Sequence, residues 1–396
     1  RLVDVQLDRV VRTLHLNATA PTGVATDESG QRVLLSTNNE PIRDVDFRRS
    51  EPVSVVADSE RGGAVVLGPA GLSAYAVPWG IALVGPTRKA QKLKLEGERG
   101  YGARIQALAF DAKGERLASV DQFGLQLWGV AKGERLKRFS NEELGSKYSL
   151  SSNFALSPDG ESAAISAGVM YVSNITSGSP HQVRVVSLTT GKTSFTIDSV
   201  HGPLGGVEYS PDGARLLVGG FNGAFVFDAR TGEQLKALTA FANFATGVAW
   251  ARDGRSFWVS YSHGELQRVD STSYTPLEIW QTGEHLDGVR ASRAGRAWAW
   301  GDGRLVAVDP GRADVTAWLS LTESTGFVVL SPRGDYWASR QGLATIRYRA
   351  GSELLSFDQL DPYYNRPDAI LDRLGLSLVP QREALFRARK LRLSRM

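Results

Sequence analysis

The chain has 396 residues, a formal charge of +4, no cysteine and 42 glycines. The missing cysteine excludes a disulfide scaffold, a thiolate metal site and a cysteine nucleophile within these residues, and no apolar run approaches the ~20 residues of a membrane helix. At 42% apolar it can bury a large core, and its glycine content, above the usual ~7%, implies many tight turns.

The chain opens on Arg1 and holds two methionines, Met170 and Met396, so it is expected to be a piece of a longer polypeptide. Two short apolar-rich runs, 3–7 and 10–14, then read as strands. From there a turn of the form Ser-Pro-Asp-Gly, or a relative of it, recurs between apolar runs. Ser157-Pro158-Asp159-Gly160 and Ser210-Pro211-Asp212-Gly213 are intact; Asp27-Glu28-Ser29-Gly30, Asp111-Ala112-Lys113-Gly114, Ala251-Arg252-Asp253-Gly254, Ser292-Arg293-Ala294-Gly295 and Ser331-Pro332-Arg333-Gly334 are close, and Gly68-Pro69-Ala70-Gly71 is weaker. The closing glycines stand 39 to 53 residues apart, the repeat of a four-stranded β-propeller blade.

Residues 204–239 show the unit most clearly. An alternating strand reaches Tyr209, and Pro211-Asp212-Gly213 turns it, with Pro presetting φ and Gly accepting a positive φ. Leu216-Leu217-Val218 suits a strand covered on both faces. A third strand ends at Phe227-Asp228, Thr231-Gly232-Glu233 turns it, and 234–238 make a fourth. The expected fold is all-β, a propeller of eight blades, alternatively seven with one displaced unit. Strands in 1–17 would complete the ring as parts of a mixed blade, or be the stump of an upstream propeller. A β-sandwich with coincidental spacing is the competing fold. The stretch 170–181, an insertion rich in Ser, Gly and Asn, reads as a projecting loop; Tyr171, Asn174, Ser177 and His181 are its candidate interaction residues, against a plain solvent loop.

From about Ser356 the pattern changes, dividing the chain into a propeller (1–357) and a helical connecting segment (358–396). Asn365-Arg366-Pro367-Asp368 begins a helix, with Pro in its first turn and Asp368 at the positive end of the dipole. Ile370, Leu371 and Leu374 form its apolar stripe and Gly375 ends it. A second, basic helix is expected after Pro380, bearing Ala384, Leu385, Ala388 and Leu391 on one side. Residues 381–396 carry +5, leaving about −1 on the rest. The basic balance therefore belongs to the tail, read as a connecting helix rather than a membrane, calmodulin or nucleic-acid element.

The blades resemble degenerate WD40 repeats, with Leu127-Trp128-Gly129 and Phe227-Asp228 where the Trp-Asp dipeptide would end a third strand. Gln359-Leu360-Asp361, Tyr364-Asn365-Arg366-Pro367-Asp368 and Leu371-Asp372-Arg373-Leu374-Gly375 resemble a segment of bacterial proteins that join a WD40 propeller to a caspase-like (C14-type) peptidase. In those proteins a basic helix and then the peptidase follow; Arg389-Lys390-Leu391-Arg392 resembles that helix. The resemblance marks Gln359, Asp361, Tyr364, Asn365, Arg366, Pro367 and Asp368 as the linker motif. The family's catalytic His and Cys belong to a domain not present here, so it supplies no catalytic residue.

The propeller itself shows no metal-binding histidine pair, calcium loop, nucleophile elbow or phosphate loop. His285-Leu286-Asp287 and His263-Gly264-Glu265 place imidazole near carboxylate and read as blade loops; Trp298 and Trp300 read as core. The expectation is a cytoplasmic, non-catalytic binding or regulatory module with no cofactor, metal, nucleic acid or membrane partner. Its partners would be protein: a linked or associated peptidase domain and a regulator or substrate. The alternative is a propeller enzyme, lactonase- or hydrolase-like, with a metal in the central channel.

Overall fold

Eight of the expected turn glycines, Gly30 through Gly334, adopt φ between +68° and +94°, the region that L side chains resist. At Gly160 and Gly213 the rest of the motif builds the turn. The Ser157 hydroxyl donates to the Asp159 carboxylate, which accepts the Glu161 amide at 2.9 Å; Ser210 and Asp212 repeat this with the Ala214 amide. The computed structural model describes residues 2–4, 9–12, 21–38, 40–56, 63–78, 80–85, 90–94, 105–144, 150–167, 182–200, 203–239, 244–322, 325–350, 353–355, 361 and 363–376.

These turns join the strands into seven four-stranded antiparallel blades: 21–55, 65–94, 107–140, 150–197, 204–239, 245–281 and 288–321, here blades 1 to 7. Each blade runs from an innermost strand outward, and the chain then returns to the centre. Leu216, Leu217 and Val218, in the second strand of blade 5, are fully buried, as a strand sandwiched between neighbouring blades must be. Clusters spanning adjacent blades, such as Leu125 and Leu127 of blade 3 with Ile165 and Val186 of blade 4, form the core. Burying one such side chain contributes about 1.5–3 kcal/mol.

The ring closes without a mixed blade. Blade 7 packs face to face on blade 1: the Ala294 amide donates to the Glu28 carbonyl at 3.0 Å, and Trp298 stacks on Phe47 with ring centroids 5.8 Å apart. The eighth turn, at Gly334, belongs to a hairpin added to the outer edge of blade 7. Phe327–Leu330 pairs with Ala317–Leu321, and Tyr336–Ala338 follows. The count is thus seven with one displaced unit, because blade 1 already covers the face an eighth blade would need. The N-terminal strands do pair with the last ones, but outside the ring. Leu2–Asp4 lies parallel to Arg347–Ala350 in a separate sheet completed by Arg9–Arg12 and Glu353–Leu355.

After the added hairpin comes a short helix, α1 (Arg340–Leu343), capped by the Ser339 hydroxyl. The expected helix, α2 (Pro367–Arg373), begins at the Pro and ends before Gly375, which has φ +74°. Its stripe of Ile370, Leu371 and Leu374, joined by Leu376, is buried in one cluster with Phe47, Leu319, Phe327 and Trp337. The expected basic helix after Pro380 lies outside the described residues.

Candidate functional site

Counting back from each first-turn glycine puts the seven inner strands in register. Seven residues before the glycine stand Gly23, Ala64, Ala107, Asn153, Gly206, Gly247 and Gly288. Small residues let inner strands approach closely: a Cβ on Gly247 would lie 2.7 Å from the Gly288 Cα, and one on Gly288 would lie 2.2 Å from the Trp300 ring. Five residues before the glycine, Ala25, Val66, Ala109, Ala155 and Ala249 fill five blades. The other two carry Glu208 and Arg290.

Arg290 sits between two cavities of the channel and lines both, one of about 670 Å³ and one of about 400 Å³. Its guanidinium lies 5.6 Å from the Trp300 ring centroid, and one Nη donates to the Val289 carbonyl at 3.1 Å. The blades pack densely around the side chain, but its surface is exposed to the channel lumen. That burial lowers its pKa, opposed by the charge of Glu208. Burial likewise raises Glu208, against the pull of Arg290, Arg252 and the Trp250 amide; that amide donates to Glu208 Oε2 at 3.2 Å. Among the described residues no carboxylate lies within ion-pair distance of Arg290.

The mouth of the larger cavity is built by the loop from blade 6 to blade 7. Thr282 Oγ1 donates to the Gly264 carbonyl at 2.8 Å, the His285 amide to Asp302 at 2.9 Å and the Asp287 amide to the Trp300 carbonyl at 2.7 Å. Glu284 pairs with the buried Arg304. Asp302 holds φ +45° to make this contact. The loop presents His285 Nε2 at 3.3 Å from Asp287 Oδ1. Desolvation raises the Asp287 carboxyl, against the attraction of His285 and with the repulsion of Asp302. Such a pair can hold or move a proton, but the hydroxyls lining the same cavity, Thr22 and Thr246, already meet Ser36 and Ser260. His263 and Glu265, 3.7 Å apart, do not line this cavity. At the other mouth Arg293 lies 3.8 Å from Glu28.

Among the described residues no three His, Asp or Glu side chains converge as a metal site, and no helix is long and apolar enough to cross a membrane. Trp298 and Trp300 are buried, as expected. The sequence reading noted the His285–Asp287 pair as a blade loop but missed Glu208 and Arg290, which belong to no motif. The signal was positional: two charges in a register otherwise occupied by Ala and Val.

The linker motif forms a joint away from the channel. Asp361 is buried and accepts from the Tyr336 hydroxyl and from Asn365 Nδ2. The Arg366 amide donates to the Tyr336 carbonyl at 2.8 Å, while its side chain grips Asp368 at 2.7 Å. Tyr364 packs on Val328, Leu330, Tyr336 and Ile346. Pro367 opens α2, and Arg373 at its end donates to the Thr316 and Val315 carbonyls and to Asp314. Gln359 and the loop residues Tyr171, Asn174, Ser177 and His181 lie outside the described residues.

No family model matches the chain, and no curated protein is similar to it in sequence. Among solved structures, Kuenenia stuttgartiensis hydrazine synthase is similar in fold, with a TM-score of 0.56 and 12% identity over 76% of this chain and 98% of that chain. At that identity the likeness shows the propeller fold alone.

Proposed function

We propose that the chain is a non-catalytic, WD40-like propeller module that holds a protein partner or senses a ligand, serving a caspase-like peptidase joined through its C-terminal segment. One observation carries this reading. The Tyr364–Gly375 phrase is anchored to the hairpin of blade 7 by Tyr336 and to blade 7 itself by Arg373, and Leu371 and Leu374 enter the core shared by blades 7 and 1. A segment fixed this firmly ties the chain up to Leu376 to the ring, as a joint to a following domain requires.

The test is to read and express the coding frame for roughly another 250 codons, the span of one large domain. A His and a Cys there, with thiol-dependent peptide hydrolysis by the longer protein, support the reading. A stop codon soon after Met396, or a following domain without both residues, removes the peptidase half.

The second reading, a propeller hydrolase with a metal in the channel, is favoured by the His285–Asp287 pair at the channel mouth. It requires stoichiometric divalent metal in the purified protein by elemental analysis, and loss of that metal in Asp287→Asn; a metal-free preparation with no hydrolase activity on added zinc or calcium sinks it.

A further inference from the structure

We infer that the channel is a binding site for a monocarboxylate, with Arg290 as the carboxylate-binding residue. Arg290 is exposed to the channel lumen, where a guanidinium can take a contacting anion. Arg290 lacks such a contact among the described residues, and only one of its donors is spent, on the Val289 carbonyl. The Trp300 ring lies beside the group, its centroid 5.6 Å from the guanidinium carbon, and the remaining N–H donors of the fork can receive a carboxylate bidentately.

The space beside it fits such a ligand. The larger cavity, about 670 Å³, opens from Arg290 toward the mouth and is lined by the partly exposed apolar residues Val65, Phe154, Leu204 and Phe244. An apolar body would lie against these walls while its carboxylate meets Arg290. The register of small residues creates the room: with Ala or Val in five blades, nothing but Glu208 and Arg290 projects charge at that level.

Glu208 sets the charge of the ligand. Its carboxyl lines the smaller cavity together with Arg290 and accepts a hydrogen bond from the Trp250 amide. A dianion such as phosphate would meet its repulsion; a monoanion seated on the far side of Arg290 meets far less. Two sources share this chemistry, a free organic acid and the C-terminal carboxylate of a peptide. The inference rests on the reading of the ring as a binding module but not on what that module serves. The carboxylate site can fail while the C-terminal joint stands, and the reverse.

Isothermal titration calorimetry on the full chain tests it, with sodium benzoate, the tripeptide Ala-Ala-Phe, its C-terminal amide and inorganic phosphate as probes. Benzoate or the free-acid peptide binds at one per chain, and the amide and phosphate do not. Binding of the peptide alone assigns the site to protein C-termini; binding of benzoate assigns it to small acids. Arg290→Gln weakens binding by about tenfold or more, the loss of a charge-assisted pair, Arg290→Lys weakens it less, and Arg293→Gln leaves it unchanged. Glu208→Gln strengthens binding severalfold, a gain that misfolding cannot produce and that decides the matter if Arg290→Gln does not fold. Failure of both carboxylates to bind at millimolar concentration, phosphate binding as well as benzoate, undiminished binding by Arg290→Gln, or no gain in Glu208→Gln overturns the inference.

Discussion

The indole N–H of Trp298, in blade 7, donates to the carbonyl oxygen of Gly30 in the first turn of blade 1 at 3.0 Å. These residues lie 268 positions apart, and the bond crosses the one seam of the ring that no continuous stretch of chain spans. Trp298 also stacks on Phe47 of blade 1. Where a propeller closes by face packing alone, the side chains at the seam carry what a shared blade would otherwise supply.

Trp298→Phe should therefore cost about 1–2 kcal/mol, the loss of a buried hydrogen bond with most packing kept and the Gly30 carbonyl left without this donor. Trp298→Ala should cost about 3–5 kcal/mol through the cavity it leaves. Urea denaturation measures both. Trp128→Phe is the comparison: its indole donates to Ser119 at 3.0 Å within blade 3, so it should cost a similar amount without opening the seam. Native-state hydrogen exchange distinguishes them, since Trp298→Phe should raise exchange in blades 1 and 7 first. Uniform loss of protection in both variants would show that the seam is no weaker than any other blade contact.

The helix α2 gives a second prediction. Leu371→Ala removes a buried side chain from the cluster shared by blades 7 and 1 and should cost about 2–5 kcal/mol. Arg373→Ala removes three donors to blade 7 and should cost about 1–3 kcal/mol. In limited proteolysis both variants should be cut within 361–376 at protease levels that leave the parent chain intact there. Equal resistance in Leu371→Ala would mean that the segment does not depend on its seat.

What the sequence revealed and what it hid divide along physical lines. The turns were legible because Pro, Asp and Gly act locally: each first-turn glycine adopts the positive φ its place in the motif demands. Helix α2 was legible for the same reason, with Pro367 at its start, Gly375 after its end and a stripe between. The eighth hairpin misleads because the sequence around Gly334 resembles that around Gly295; only the pairing of Phe327–Leu330 with Ala317–Leu321 puts one at the rim and the other at the centre. Strands 2–4 and 9–12 were readable as strands, but the partner that joins them to the C-terminal strands, 347–350 beside 2–4, lies hundreds of residues away. The channel charges were hidden because Glu208 and Arg290 form no motif. They stand out only once all seven inner strands are laid in register.

Stability should fall in acid for a specific reason. The Asp212 carboxylate is held below its ordinary pKa by the hydrogen bond from Ser210, and further by the Ala214 amide, against desolvation. Asp228 and Asp270 are held down by backbone amides, Thr231 and Arg230 for the first, Ser273 and Thr272 for the second. A carboxyl whose pKa is lower folded than unfolded contributes stability above its unfolded value, about 4, and loses it as the pH falls through the folded value. The melting temperature should thus be flat from about pH 7 to 5 and drop below about pH 4. Asp212→Asn should lower stability at pH 7 and flatten the acid limb. An Asp212→Asn variant whose acid limb matches the parent would remove this carboxylate from the account.

The glycines at the channel wall should tolerate least where backbones converge. In Gly288→Ala the new Cβ would lie 2.2 Å from the Trp300 ring, and Trp300 is itself buried against the strand that carries Arg290. Relief requires the indole to shift, which should cost about 1–3 kcal/mol in an overpacked core and move the ring away from Arg290. Gly85→Ala is the opposite case, because nothing lies within 4 Å of its Cβ position and its φ is not positive. There the smaller entropy of the unfolded chain should leave the variant unchanged or up to about 1 kcal/mol more stable. Thermal denaturation of the two variants side by side reads the difference, and tryptophan fluorescence should change in Gly288→Ala alone. A Gly288→Ala protein with parental stability and emission would mean that the inner strands have slack, and that the channel is wider at this level than the packing of Gly247 on Gly288 implies.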